Sequence, residues 1–507
     1  MAASVTKWIY AISVRRKSKV LATRGFFSTG CRGSSRLDAL GLVLSLLTVL
    51  SGCAYLSSRE QNLILADAIS VRQRVEVIRE LTFADPPAVR VESRAQAAAI
   101  LARQISAADA RRLQLAARVG ALIGLYDPGV DLRHATLQAW REHVVGFYDS
   151  ADSAMVLVHK PFGLANLELF PAIRQPPRTV LLAHEFTHAL QDQNFALTRR
   201  LASLSNNDDR ALALKSVAEG DATISGYACW WGAVDRAKLD QLVARYAALV
   251  TASRRGDSAS LPGPLIFQYA YGVPFVAQAY RRGGWLAVDR LYRDPSLSTQ
   301  ELMHPQLYLR GATGSTITTP LEDWPDVPGW QRVYENTVGE YQLYRLLRRL
   351  AVPEEQTQTL SRAWAADRIG AFTHGSSGLS ILWLIVFRDL ASSRLFATVY
   401  RNALKRHLDL SIPFQLGEQG TAVEVAIGPG AAALMPEFHF PGGAVIRRKS
   451  LKGPDGREPG CDRDGAGGRA AVGEAREERS QLCCERAHLA RTVGNFGTRS
   501  RSTTFSS

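Results

Sequence analysis

The stretch from Thr179 to Phe195 reads TVLLAHEFTHALQDQNF, with His184 and His188 four residues apart and Glu185 beside the first. On an α-helix, side chains at i and i+4 leave the same face one turn apart. Two such imidazoles can reach one ion, since zinc binds ring nitrogen at about 2.0–2.1 Å. Glu185 is then close enough to touch a metal-bound water rather than the metal. In H-E-x-x-H sites that carboxylate is the general base. The bland reading is an ordinary helix with two core histidines, and a third ligand would separate the two.

NDDRALALKSVAEGDATISGYACWW, from Asn207, offers one. Asp208 or Asp209 can cap a helix here. Glu219 falls on a face with Leu212, Ser216, Ala222, Thr223 and Gly226, most of them small. A small face lets this helix approach the histidine helix closely, and His2Glu plus water is a catalytic zinc arrangement. Asp221 is the competing ligand, though its shorter side chain needs a still closer helix. The zinc helix itself is supported by its composition: no Gly or Pro falls between Thr179 and Phe195, while Pro176 and Pro177 lie just before it, where helices start.

H-E-F-T-H-A-L-Q-D, from His184 to Asp192, resembles the zinc helix of thermolysin-like gluzincin metallopeptidases. That resemblance implies a zincin-like core with His184, His188 and Glu219 as zinc ligands and Glu185 as base. Asp192, one turn beyond His188, is a candidate hydrogen-bond acceptor behind a ligand ring. The third ligand departs from thermolysin, standing in A-E-G-D-A rather than N-E-x-x-S-D, thirty-one residues after His188. A closer resemblance, from about Gln61 to about Arg394, is to poorly characterised bacterial secreted proteins and lipoproteins regarded as candidate metallopeptidases. It rests on H-A-L-Q-D-Q, E-G-D-A and GGWLAVDRLYRDPSLSTQELMHPQLYL from Gly283, with Ser298-Thr299-Gln300-Glu301 where members read S-T-E-Q.

The net charge of +14 suggests a nucleic-acid partner until it is located. Residues 1–52 carry +7, residues 447–507 carry +5, and 53–446 only +2. A basic balance confined to the ends forms no binding face, which excludes nucleic acid as the principal partner. The 507 residues allow one large or two ordinary domains. Between Ala54 and Ile446 the only cysteine is Cys229, so no disulfide can form there.

Apolar residues from Ala39 onward are too few to span a bilayer and suit a signal-peptide core. LSGC, Leu50–Cys53, resembles a bacterial lipobox, which implies a lipid anchor on Cys53 and, with Ala54 following, the outer membrane. The first twenty residues are Ser/Arg-rich and free of acids, like a mitochondrial transit peptide. The lipobox argues against that, and a start site placed too early is the simpler account. The expected organisation is a leader over 1–52, a zincin-like catalytic half over 53–250, a mostly helical second half over 251–446, and a disordered Gly/Arg-rich tail over 447–507.

The expected fold class is α+β, predominantly helical. Helical composition covers Ala66–Leu81, Ser93–Leu122 and Leu137–Val144, and GFYDSADSAMVLV from Gly146 reads as a hairpin before the zinc helix. An edge strand beside the metal takes up extended substrate in such peptidases, and residues 153–158 are the candidate; an internal strand is the alternative. GPLIFQYAYGVPFVAQAYRRGGWLAVDRLY suggests a loop and two helices, and SILWLIVF from Ser380 a core segment rather than a membrane span. An oxyanion donor is sought among Tyr271, His304 and Tyr341, with His304 first and a structural role for it at the Pro305 turn as the competing reading. His374 can also face the cleft.

The function these readings support is a zinc-dependent metallopeptidase of the bacterial cell envelope acting on peptide or protein substrates. The alternatives are a non-catalytic envelope lipoprotein or a binding module on a peptidase-like scaffold. Retention of Glu185 favours the enzyme, because a purely structural metal site has no use for a base.

Overall fold

A computed structural model describes residues 62–143, 146–159, 178–255, 263–294, 296–309 and 327–438. The leader, Cys53 and the 447–507 tail lie outside these residues. All of the described residues fall in the first of two units, Met1–Lys449.

The first unit is mixed α+β, with helices in the majority. Helix α1 (62–79) leads into strand β1 (Ala88–Ser93). Helices α2 (Arg94–Arg103), α3 (Ala107–Ile123) and α4 (Leu132–His143) follow, the first two opened by capping boxes on Ser93 and Ser106. The helical reading from Ser93 thus holds, while β1 was missed; its six residues are too short a window against the flanking helical composition.

The expected hairpin is present as β2 (Gly146–Asp149) and β3 (Ala154–His159). The hairpin belongs to a mixed sheet: β3 lies in the middle, parallel to β1 and antiparallel to β2. Residues 153–158 therefore form no edge, and the strand proposed to take up substrate is already paired on both sides.

Helix α5 (Arg178–Phe195) carries the two histidines, and α6 (Leu197–Ser203) follows a left-handed residue, Ala196. Helix α7 (Asp208–Trp231) is almost wholly buried. Its N-cap is Asn207, whose side chain accepts from the Arg210 amide; Asp208 and Asp209 sit in the first turn rather than at the cap. Helix α8 (Arg236–Arg255) and α9 (Gly263–Leu291) pack against it. The φ/ψ values of Gly283 and Gly284 divide α9 into the two helices expected.

Glycine sets how close these helices come. A Cβ on Gly220 would lie 2.4 Å from the Gly272 carbonyl oxygen, and one on Gly272 would lie 2.1 Å from that of Ser216. The α7 and α9 backbones meet there. A Cβ on Gly226 would lie 2.7 Å from the Val180 carbonyl oxygen, so α5 crosses at equally close range.

Short helices α10 (Thr299–Met303) and α11 (Pro305–Leu309) precede a sheet set among the helices of the second half. There β4 (Gln331–Asn336), β5 (Trp364–His374), β6 (Ser377–Phe387), β7 (Phe414–Gln419) and β8 (Ala422–Ile427) form a five-stranded antiparallel sheet in the order β4-β5-β6-β8-β7. Helices α12 (Gly339–Arg349), α13 (Glu354–Arg362) and α14 (Leu390–His407) share a core with it. SILWLIVF is the central strand, with Ile381 to Phe387 buried. A strand covered on both faces shows no alternation, which is why its period could not announce it. Among the described residues no helix is long and apolar enough to cross a membrane.

Candidate metal centre

Helical spacing brings the two α5 rings together edge to face, with centroids 4.7 Å apart. Their Nε2 atoms are 3.1 Å apart. Glu219 enters from α7, its Oε2 3.2 Å from His184 Nε2 and its Oε1 3.7 Å from His188 Nε2. The ligand atoms of His184, His188 and Glu219 all lie within 4.8 Å of one another, so the three could hold a metal ion. Gly226 makes this possible: its bare Cα lets α7 lie against Val180 and His184, two turns along the face that carries Glu219. The small-faced approach expected from the sequence is what the helices do.

The group is electrically unsettled on its own. Glu219 is 1% exposed, and its Oε2 accepts no well-formed hydrogen bond despite the nearby imidazole. Burial works against its charge, yet the two histidines and a hydrogen bond from Tyr269 outweigh it and hold the carboxyl below its ordinary value. Burial pulls His184 down, but the adjoining Glu219 carboxylate reverses this and leaves it raised. His188 stays lowered, because desolvation and the neighbouring His184 prevail over Glu219. Only one proton fits between two ring nitrogens 3.1 Å apart. A cation would satisfy both nitrogens and the orphaned carboxylate oxygen together, so these residues fit a metal.

Glu185 is half-buried beside them. Desolvation pushes its carboxyl up to about 8, with His184 pulling down and Glu219 pushing further up. Its Cγ lies 3.3 Å from where a Gly146 Cβ would be, which places it against β2.

Asp221 does not compete for the ion. It accepts from Arg79 Nε at 2.8 Å, from the Tyr292 hydroxyl at 2.7 Å and from Ser225 at 3.2 Å. Asp192 does not back the ligand ring either. It accepts from the Thr198 amide at 2.7 Å, because the left-handed turn at Ala196 brings the start of α6 over it. The residue behind His188 is Gln191, whose Oε1 lies 2.9 Å from His188 Nδ1.

The other candidates lie elsewhere. His304 Nε2 is 2.7 Å from Glu340 Oε1, at the junction of α10 and α12, and it does not join the group of three. The Tyr341 hydroxyl donates to the Gly263 carbonyl at 2.7 Å, and Tyr271 stacks on Phe267. His374 sits at the β5–β6 turn against Trp330. The tyrosine at the site is Tyr269, bonded to Glu219 and stacked over His184 with centroids 6.4 Å apart. Two residues along a helix turn about 200°, so Tyr269 and Tyr271 face opposite ways. Spacing within the Q-Y-A-Y stretch, Gln268–Tyr271, could separate them but not choose between them.

Residues 327–435 match a family described as Domain of unknown function (DUF8575). That segment holds all five strands of the second sheet and none of His184, Glu185, His188 or Glu219. No curated protein and no solved structure matches the chain.

Proposed function

We propose that the chain is a zinc metallopeptidase of the bacterial cell envelope. The observation that carries this reading is the spacing of the three donors. Four ligands about 2.05 Å from zinc in a tetrahedron stand about 3.3 Å apart. Here the imidazole nitrogens stand 3.1 Å apart, with Glu219 Oε2 3.2 Å from His184 and its other oxygen, Oε1, 3.7 Å from His188. That donor set suits zinc and leaves one position open for catalysis. When bound, zinc supplies Lewis-acid polarisation and acidifies water.

The chain's own residues do the rest. Glu185, one position from a ligand, takes a proton from water entering the site and later returns it to the leaving amine. The Tyr269 hydroxyl, hydrogen-bonded to the ligand Glu219, serves the oxyanion that develops on the scissile carbonyl. With β3 closed on both sides, β1 and β2 are the edges, and β2, which runs past Glu185, is the one placed to take up an extended peptide. The lipobox-like LSGC supports a lipid anchor on Cys53, which would hold the enzyme at the membrane surface.

Metal analysis of the purified chain tests the site. About one zinc per wild-type chain is expected, with much less in Glu219→Ala and His188→Ala. Glu185→Gln keeps its zinc and loses cleavage of a quenched peptide library. No metal in the wild type after supply of zinc would return the histidine helix to an ordinary one. A fully active Glu185→Gln would remove Glu185 as base.

A further inference from the structure

Behind the ligand face lies a buried hydrogen-bond chain that the reaction above does not use. It starts at His188 Nδ1, 2.9 Å from Gln191 Oε1. The Gln191 amide nitrogen donates to the Ala218 carbonyl at 2.9 Å and to Asp221 Oδ2 at 3.1 Å. Asp221 also accepts from the Tyr292 hydroxyl at 2.7 Å and from Arg79 Nε at 2.8 Å. Arg79, the last residue of α1, reaches Asp289 with Nη2 at 2.5 Å and lies over the Trp285 ring at 4.6 Å. Gln191, Asp221 and Arg79 are each 0% exposed.

The chemistry of this chain runs in one direction. A carbonyl oxygen and a carboxylate can only accept, so the Gln191 atom facing them must be the NH2 group. Its Oε1 is thereby turned to His188, and an amide oxygen can only accept. His188 must therefore carry its proton on Nδ1, which leaves Nε2 bare toward His184 and Glu219. We infer that Gln191, held by Asp221 and Arg79, is a positioning residue that sets His188 in its ligand-competent tautomer. An amide thus stands where ligand histidines more often meet a carboxylate or a backbone carbonyl. The inference rests on the proposed metal site for its purpose, though not for its tautomer.

Arg79 has a part in this. A carboxylate at 0% exposure, as Asp221 is, needs hydrogen-bonding partners on its oxygens. Arg79 Nε and the Tyr292 hydroxyl keep it an acceptor, and an acceptor is what holds the Gln191 amide the right way round. Asp221→Asn replaces that acceptor with a group whose NH2 can face Gln191. The Gln191 amide is then held only by the Ala218 carbonyl, and the fraction that reverses presents its NH2 to His188, favouring the Nε2–H form. Gln191→Leu removes the amide and leaves the Arg79–Asp221 pair intact, so it keeps the test alive if Asp221→Asn fails to fold.

Imidazole 15N spectra of the metal-free full chain, labelled at histidine, read the tautomer directly; His188→Gln identifies the signal. Wild type is expected to show Nδ1–H with a bare Nε2. Asp221→Asn is expected to shift the population toward Nε2–H, and Gln191→Leu to give a mixture. Chelator competition with zinc then shows about 10–100-fold weaker binding in both variants. A wild-type His188 protonated on Nε2, or a tautomer unchanged in the folded variants, would overturn the assignment. If wild type binds no zinc but shows the Nδ1–H form with both shifts, the orienting chain stands and the zinc reading falls.

Discussion

Asp209 shows how one buried side chain makes stability depend on pH. It is 2% exposed on the first turn of α7 and accepts from both the Thr299 amide, at 3.2 Å, and the Thr299 hydroxyl. Desolvation pushes its carboxyl up to about 8; the Thr299 bonds pull it down, and Glu301 and Asp367 push it further up. The folded chain therefore holds this proton between about 4 and about 8 while the unfolded chain has lost it. Stability from this group is present below about 4 and is lost as pH rises through that window. Asp209→Asn keeps an acceptor for Thr299 and has no proton to lose. Melting curves from pH 5 to pH 8.5 should fall less steeply in the variant. Equal slopes would mean that the buried proton is not on Asp209. A second residue-scale prediction concerns Tyr269. Tyr269→Phe keeps the ring over His184 and removes the hydroxyl, so zinc content should hold while kcat falls about 10²–10³-fold, the usual effect of losing one oxyanion donor. An unaltered kcat would leave Tyr269 only as a partner of Glu219.

At the scale of elements, the site depends on three helices lying closer than side chains ordinarily allow. Gly220 and Gly272 bring α7 and α9 into backbone contact, and Gly226 does the same for α7 and α5. Gly272 is one turn beyond Gln268 and three residues from Tyr269, so the contact also sets how far Tyr269 stands from Glu219. Gly272→Ala forces a methyl against the Ser216 carbonyl and should cost about 1–3 kcal/mol, as overpacking generally does. A urea midpoint that stays put would mean that α7 and α9 can part without penalty. The S-T-Q-E and H-P residues serve another junction. Ser298 and Glu301 form a capping box on α10, Thr299 reaches Asp209 on α7, and His304 and Gln300 both meet Glu340 on α12. His304, first choice as an oxyanion donor, belongs to this joint.

For the molecule as a whole, that joint connects the helix bearing Glu219 to the segment matching DUF8575, in which Glu340 lies. An ion bound only by the folded chain couples to all of it. With free zinc 1,000-fold above its Kd, binding adds about 4.1 kcal/mol to stability. Chelation should therefore lower the Tm of wild type, and His188→Ala should melt alike with and without zinc. A wild type whose Tm ignores chelation would hold no metal at this site.

Local chemistry made part of this protein legible from sequence alone. H-E-F-T-H on a stretch without Gly or Pro declares a helix with two convergent imidazoles, because i, i+4 spacing is a property of the helix itself. The small face around Glu219 indicated a close partner for the same reason: residue size is local. The glycine pair in α9, the hairpin before α5 and the apolar core segment at Ser380 were readable likewise. What sequence left open were relations between segments. Whether β3 is edge or centre depends on β1, some sixty residues earlier. Whether Asp192 or Gln191 backs His188 depends on where α6 turns, and whether Tyr269 or Tyr271 faces Glu219 depends on the rotation of α9. Arg79 joins the site only because α1 packs beneath α7. Spacing determines which side chains share a face, and only packing decides what that face meets.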